Sequence, residues 1–214
     1  MIKGCIFDMD GLLVDSERLT YRLIKEELNK YGKDMSEEFY KSLLGRTYQT
    51  AHPLFMKEYG DDFDDLALTR LTNQKLIHCY KEGNIDVKSG VVTLLEYLKE
   101  HHIKCIVASS SPKQTVIDCL TGAHLIHYFD DMICGDEVSV GKPNPEIFIT
   151  ACKKINCATN EVIVFEDSEA GILAAHNANM KVICIPDMKY PDSQYQEYTY
   201  KILDTIDLSI PYIR

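Results

Sequence analysis

The sequence predicts an α/β fold: a Rossmann-like parallel sheet core with an inserted all-helical cap domain. Two observations predict it. Five short, continuously apolar runs (residues 4–7, 105–108, 132–134, 162–165 and 182–185) are rich in Ile, Val and Cys, which is how a strand buried on both faces of a parallel sheet reads. One long interval, 16–83, carries helical periodicity and no strand candidate.

Taken in order, the run 4–7 is the first strand, and its alternation with helices resumes only after residue 83. Inside the interval, Leu19, Leu23, Leu28 and Tyr31 recur at helical spacing. Ser36 reads as an N-cap before Phe39, Leu43 and Leu44; Leu68, Leu71 and Lys75 form a further stripe. Gly32, Gly45 and Gly60 punctuate these helices. Beyond it, Val91, Leu94, Leu95 and Leu98, then Ile147, Phe148, Ala151 and Ile155, mark helices between strands. The expected organisation is a core of residues 1–15 and 84–214 with a helical cap of residues 16–83. Alternating strand and helix gives a layered sheet, whose sites form beyond the carboxyl ends of the strands. The crossings at 13–16 and 83–88 are the expected hinges for closure of the cap over the core.

The chain of 214 residues is long enough to bury a core of its own, and its 45% hydrophobic and 26% charged residues are those of a globular protein. A net charge of −10 argues against a nucleic-acid partner. It leaves room for a small phosphorylated substrate, because a metal ion and a few local cations reverse the sign at one site. The eight Cys form no CxxC pair, and Cys5, Cys105, Cys134 and Cys184 lie within apolar runs, so buried free thiols are expected. No leader and no membrane-length apolar stretch is read, which makes a reducing cytoplasm the expected location and a monomer the default state.

Four of the strand ends carry polar groups. The first reads Asp8-Met9-Asp10-Gly11. Two carboxylates that close repel unless a divalent cation or a shared proton intervenes, Mg²⁺ favours carboxylates plus a phosphate, and a carboxylate held there can attack phosphorus with its neighbour as acid/base. A solvated turn explains this stretch alone equally well. The second is Ser109-Ser110-Ser111-Pro112, where Ser111 reads as an N-cap and Pro112 as the first helical residue; a helix N-terminus is an anion site, although plain caps are commoner. The third is Gly141-Lys142-Pro143-Asn144-Pro145, with Asn144 as a cap and Lys142 either a phosphate partner or an exposed loop lysine. The fourth, Glu166-Asp167-Ser168, ends another buried strand on two acids. Acids from two neighbouring strands converging on one sheet edge make sense with Mg²⁺.

This order of motifs resembles that of the haloacid dehalogenase superfamily, in the subfamily with a helical cap after the first motif that includes β-phosphoglucomutase and sugar-phosphate phosphatases. The resemblance implies Asp8 as the nucleophile that becomes an aspartyl-phosphate, and Asp10 as the acid/base. It implies Ser109 and Lys142 as phosphate-binding, with backbone N–H groups near Asp10, Gly11 and Ser110 cradling the phosphoryl oxygens. Mg²⁺ would be held by Asp8, the Asp10 carbonyl and Asp167, with Glu166 a further candidate, direct or through water. The family's dehalogenases and phosphonate-cleaving members lack an acid at the position of Asp10, so its presence favours phosphate esters.

The resemblance also separates phosphatase from mutase. β-Phosphoglucomutase has a His in the first cap helix where this chain has Thr20, and the basic residue after the cap's central glycine is displaced to Gly45-Arg46-Thr47. Thr20 and Arg46 are the cap's candidate substrate contacts. The expected function is a Mg²⁺-dependent phosphatase of a small phosphorylated metabolite, either a sugar phosphate or a nucleoside monophosphate. A phosphosugar mutase is the first alternative and a non-catalytic phosphate-binding regulator the second.

Overall fold

A computed structural model describes residues 1–46 and 48–213; Thr47 of the Gly45-Arg46-Thr47 stretch lies outside the described residues. Among the described residues, six strands form one sheet: β1 (Gly4–Phe7), β2 (Lys104–Ser109), β3 (Asp131–Cys134), β4 (Val162–Glu166), β5 (Lys181–Cys184) and β6 (Lys201–Ile202). Their order is β3-β2-β1-β4-β5-β6, and every neighbouring pair is parallel. The five predicted runs are the first five strands. β6 is an addition that no apolar pattern announces, since two residues cannot make a run.

The side-chain alternation of a strand explains why these runs are apolar throughout. Cys5 and Phe7 of β1, Cys105 and Val107 of β2, and Ile163 and Phe165 of β4 point into one buried layer. Ile6, Ile106, Ala108, Val162 and Val164 point into the other. Phe7 and Phe165, both fully buried, stack with centroids 4.9 Å apart. The chain runs from β1 outward to β3 and then returns to place β4 against the other side of β1. The crevice at such a reversal, beyond the strands' carboxyl ends, is where open α/β sheets bind ligands.

Between β1 and the next sheet-covering helix lie α1 (Ser16–Asn29), α2 (Glu37–Leu43), α3 (Tyr48–Tyr59) and α4 (Asp65–Lys81), with no strand among the described residues. Ser36 caps α2 as expected, its Oγ accepting from the Phe39 N–H at 3.1 Å. These helices share a small core of Ile24, Leu28, Met35, Tyr40, Phe55 and Leu68, to which Met188 is contributed from beyond β5. Two stripe residues fall outside it. Tyr31 lies past the end of α1 and is 69% exposed. The buried line of α4 runs by fours through Leu68, Thr72 and Tyr80, which turns Leu71 outward.

The crossings into and out of the insert are bonded to each other. Val14 faces Val87 in an antiparallel bridge, the Asp15 N–H donates to Asp86 O at 2.8 Å, and the Lys88 N–H donates to Leu13 O at 3.0 Å. Beyond them α5 (Val91–Glu100) and α6 (Lys113–Gly122) cover one face of the sheet, and α7 (Glu146–Lys154) and α8 (Glu169–Asn177) the other. Cys5, Cys105, Cys134 and Cys184 are buried free thiols. Among the described residues, no helix is long and apolar enough to cross a membrane.

Candidate active site

The site is built where β1, β2 and β4 end. Phe7 pairs in register with Val107 and Phe165, and the Asp8 N–H extends the ladder by one bond to Phe165 O at 3.0 Å. Asp8 is therefore carried at the level of Glu166. The chain then turns over Gly11, whose φ of +76° favours glycine. Met9, Leu12 and Leu13, all fully buried, anchor the turn so that the polar side chains between them are held on a fixed backbone.

Lys142 ties these strand ends together. Its side chain is 5% exposed, and its ammonium donates to Asp8 Oδ1, to Glu166 Oε1 at 2.5 Å and to the Ala108 carbonyl at 3.0 Å. Those three acceptors use all three ammonium protons. Burial pulls the Lys142 pKa down, but Asp8 and Glu166 outweigh it and hold the group above the usual lysine range. It is a fixed positive charge.

Asp8, Glu166 and Asp167 each bring a carboxylate oxygen to within 4.8 Å of the others. Burial, opposed by Lys142, pushes Asp8 up to about 7. Burial, then Asp8 and Glu166, push Asp167 well above the carboxylate range. Hard oxygen donors whose mutual repulsion Lys142 relieves only for Asp8 and Glu166, leaving Asp167 without a cation, are the set that suits Mg²⁺. Gly11 completes the fit, because a Cβ there would run into the Asp167 carboxylate. Glu166 is the most committed of the three: its Oε2 accepts from the Ser168 N–H at 3.3 Å and the Ser168 hydroxyl at 2.9 Å. Ser168 also caps α8, accepting from the Gly171 N–H at 3.1 Å.

Asp10 stands apart from that trio. Its Oδ2 accepts from the Ser111 hydroxyl at 2.9 Å, and the Tyr80 hydroxyl reaches Oδ1 at the outer limit of 3.5 Å. Burial raises its pKa, against the pull of Ser111 and Ser16. The expected N-cap role of Ser111 is thus corrected. The helix α6 begins at Lys113 with Pro112 at its cap and no side-chain cap bond, because the Ser111 hydroxyl is drawn to the half-buried Asp10 carboxylate instead. The expected cap at Asn144 is corrected in the same way: Pro145 holds the cap position of α7, which starts at Glu146 and has no side-chain cap bond, while Asn144 Oδ1 accepts from the Glu146 N–H at 3.0 Å in the turn just before it.

The remaining expected residues are placed as follows. Ser109 is fully buried, and its Oγ accepts from the Ser111 N–H at 3.0 Å, which leaves its own proton to donate. Ser110 is exposed at the end of β2. The Gly11 N–H is engaged by Val14 O and Ser16 Oγ, each at 3.1 Å, so it is not free for its expected part in a phosphate cradle. Thr20 lies on α1 beside the Tyr40 hydroxyl. Arg46 is exposed and folds back, its Nε donating to Ser42 O at 2.5 Å; this draws it onto its own helix rather than toward the carboxylates.

A cleft of about 260 Å³ opens between insert and sheet, lined by Glu17, Leu44 and Gly45 on one side and by Asp167, Ser168 and Asp187 on the other. A larger groove of about 530 Å³ on the insert shares no lining residue with it and carries none of the site's acids. Sequence reasoning missed Glu17, Tyr40, Tyr80 and Asp187. Glu17 accepts from the Tyr40 hydroxyl at 2.6 Å. For Asp187 a signal existed: the run 182–185 ends in Pro186-Asp187, another apolar strand leading to an acid.

This topology, with acids and a lysine at three adjacent strand ends beneath a helical insert, defines a phosphoryl-transfer hydrolase of the α/β class. Residues 5–185 match the model of the haloacid dehalogenase-like hydrolases, and the chain belongs to that family. A phosphorylated carbohydrates phosphatase of Thermotoga maritima is 32% identical over 186 residues, 85% of this chain and 84% of the relative. A Drosophila melanogaster protein named "Probable pseudouridine-5'-phosphatase" is 30% identical, with 96% of this chain and 91% of the relative covered. A solved β-phosphoglucomutase of Clostridium difficile superposes with a TM-score of 0.75 at 25% identity, covering 100% of this chain and 96% of that one. The relatives place the chain with the family's phosphatases, and the family is generally Mg²⁺-dependent.

Proposed function

We propose that the chain hydrolyses a small phosphorylated metabolite, a sugar phosphate or a nucleoside monophosphate, through an aspartyl-phosphate on Asp8. The observation that carries this reading is the division of labour between two carboxyls: Asp8, buried, is paired to Lys142, and Asp10, half-buried, is held separately by Ser111. Asp8, Asp167 and the Asp10 carbonyl would hold Mg²⁺, which when bound neutralises charge on the transferring phosphoryl group. Glu166 serves through Lys142, whose ammonium it orients.

In the first half-reaction an Asp8 oxygen attacks phosphorus, the ester P–O bond breaks, and Asp10 gives its proton to the leaving oxygen. Burial favours the protonated form of Asp10 that this step needs. In the second half, the Asp10 carboxylate takes a proton from water as the water oxygen attacks phosphorus. The bond to Asp8 breaks and inorganic phosphate leaves. Lys142 and the Ser109 hydroxyl stabilise the phosphoryl oxygens. Residues 16–83 serve as the cap that closes the cleft and selects the substrate.

The test is a phosphate-release screen across sugar phosphates and nucleoside monophosphates with Mg²⁺, joined to acid-quench trapping of phosphoenzyme. Turnover is expected for one class, with trapped phosphate present in the wild type and absent in Asp8→Asn, whose turnover falls by at least about 10⁴-fold. Undiminished turnover in Asp8→Asn would sink the mechanism. Conversion of β-glucose 1-phosphate to glucose 6-phosphate without phosphate release would replace it with the mutase reading, which a hydroxyl at Thr20 in place of an imidazole disfavours.

A further inference from the structure

Asp187 lies three residues beyond β5, the strand paired with β4 through Glu166 and Cys184. Its side chain is 3% exposed. One oxygen, Oδ1, accepts from Arg18 Nη1 of α1 at 2.8 Å and from the Lys88 ammonium beside the crossing out of the insert. The other, Oδ2, is buried and has no hydrogen-bond donor among the described residues. A buried carboxylate oxygen in that position carries its full desolvation penalty. Oδ2 is aimed at the candidate metal site: a Cβ built on Gly11 would lie 3.4 Å from it while running into the Asp167 carboxylate. Asp187 is outside the group of acids whose oxygens lie within 4.8 Å of one another, so direct ligation is not its geometry. Mg²⁺ keeps several of its waters when bound by carboxylates, and a metal-bound water is a strong donor.

We propose that Asp187 is a positioning residue for the metal: Oδ2 accepts a hydrogen bond from a metal-bound water, while Oδ1 holds Arg18 and Lys88. One carboxylate then ties the cation to the first helix of the insert and to the hinge. The inference rests on the metal site assigned above, at Asp8 and Asp167.

The experiment measures Mn²⁺ dissociation constants by electron paramagnetic resonance, with the metal-free unfolding midpoint of each variant as a check on folding. In Asp187→Asn the amide oxygen can keep Arg18 and Lys88, which turns the NH₂ donor toward the metal-bound water. Mn²⁺ is expected to bind about 10-fold more weakly, as is usual when an outer partner of a metal site is lost. Arg18→Met removes the insert's partner but leaves Oδ2 in place, and its affinity is expected to stay within about twofold, well short of that outer-partner loss. Asp167→Asn is expected to abolish binding. Should Asp187→Asn fail to fold, Asp187→Ser serves with the same expectation. Unchanged affinity in the Asp187 variant, with binding lost in Asp167→Asn, overturns this role and leaves the metal site standing. Equal weakening in Arg18→Met and Asp187→Asn also overturns it, since the effect would then travel through the clasp alone. Binding that ignores Asp167→Asn overturns both readings.

Discussion

The sheet core and the helical insert bury their interiors in different ways. Every residue of β1 and all five of β4 are buried, and two side-chain layers enclose the sheet. In the insert, α2 and α3 each bury one residue, Tyr40 and Phe55, and the 17 residues of α4 bury four. Surface ion pairs supplement that thin core, among them Lys25–Asp34 and Lys41–Glu37. The difference teaches where each task belongs. Groups that must meet a phosphorus atom at fixed geometry sit on the over-packed part. Under the proposed function, the groups that open to admit a substrate sit on the more thinly packed part.

The largest expected effect comes from the polar interior of the core. Lys142→Met leaves Asp8 and Glu166 buried without their cation, which costs about 3–5 kcal/mol for a broken buried pair. The effect has a pH signature. In the metal-free protein the Asp8 carboxyl, at about 7 folded against an ordinary 3.8, binds more protons folded than unfolded. Stability therefore falls as pH rises through that window, and losing Lys142 moves the folded value higher still. Chemical denaturation of both proteins across the window is expected to show the gap between them widening with pH. A pH-independent gap would mean that Lys142 acts through packing against Phe148, whose ring lies 5.1 Å from its nitrogen.

Next comes a matched pair of truncations. Phe165→Ala removes a fully buried ring stacked on Phe7 and is expected to cost about 3–5 kcal/mol globally. Phe55→Ala in the insert is expected to cost less and locally: amides of α2 and α3 should gain hydrogen exchange while those of β1 and β4 keep their protection. Loss of protection in β1 on Phe55→Ala would show that insert and core unfold as one unit.

The same contrast governs what could be read from the residues alone. The core was legible because a strand buried on both faces leaves a continuous apolar run, and because polar residues at its end break that run visibly. Asp8, Glu166 and Asp167 were found in this way, and Asp187 would have been by the same rule. Ser111 was legible as a polar residue before a proline, but its choice between capping α6 and binding Asp10 depends on a partner 101 positions away. Tyr80 and Glu17 lie on helices whose period reports burial and says nothing of what a buried hydroxyl or carboxyl touches. The fold of the insert was visible in its period and its glycines, whereas its contacts across the cleft were not.

A bond within the insert, on its side of the cleft, gives the third effect. Tyr40→Phe removes the donor to Glu17 at the mouth of the cleft, a bond to a carboxylate worth about 1.5–3 kcal/mol. If the insert selects and the core reacts, the variant raises KM by about 10-fold or more, which is 1.4 kcal/mol or more, with kcat held within about twofold. The yield of trapped phosphoenzyme at saturating substrate stays unchanged. A fall in kcat with KM constant would place Tyr40 in the chemistry and break the division between the two regions.

The smallest effect tests whether the insert's own electrostatics matter. Glu27 is buried at 3% exposure, and Lys30 bonds both its oxygens at 2.8 and 2.9 Å while Lys75 reaches it from α4. Those bonds hold its carboxyl below the ordinary 4.5. A lowered folded value contributes stability that is present above 4.5 and lost as pH falls through the folded value, the reverse of Asp8. Lys30 and Lys75 are 58% and 37% exposed, so solvent screens each pair to about 0.5 kcal/mol. Glu27→Gln is accordingly expected to flatten the acid limb of exchange protection in α1 and α4 while leaving the fall toward neutral pH set by Asp8 untouched. An acid limb of unchanged slope would show that the insert is held by its apolar face alone, and that its charges only keep that face in register.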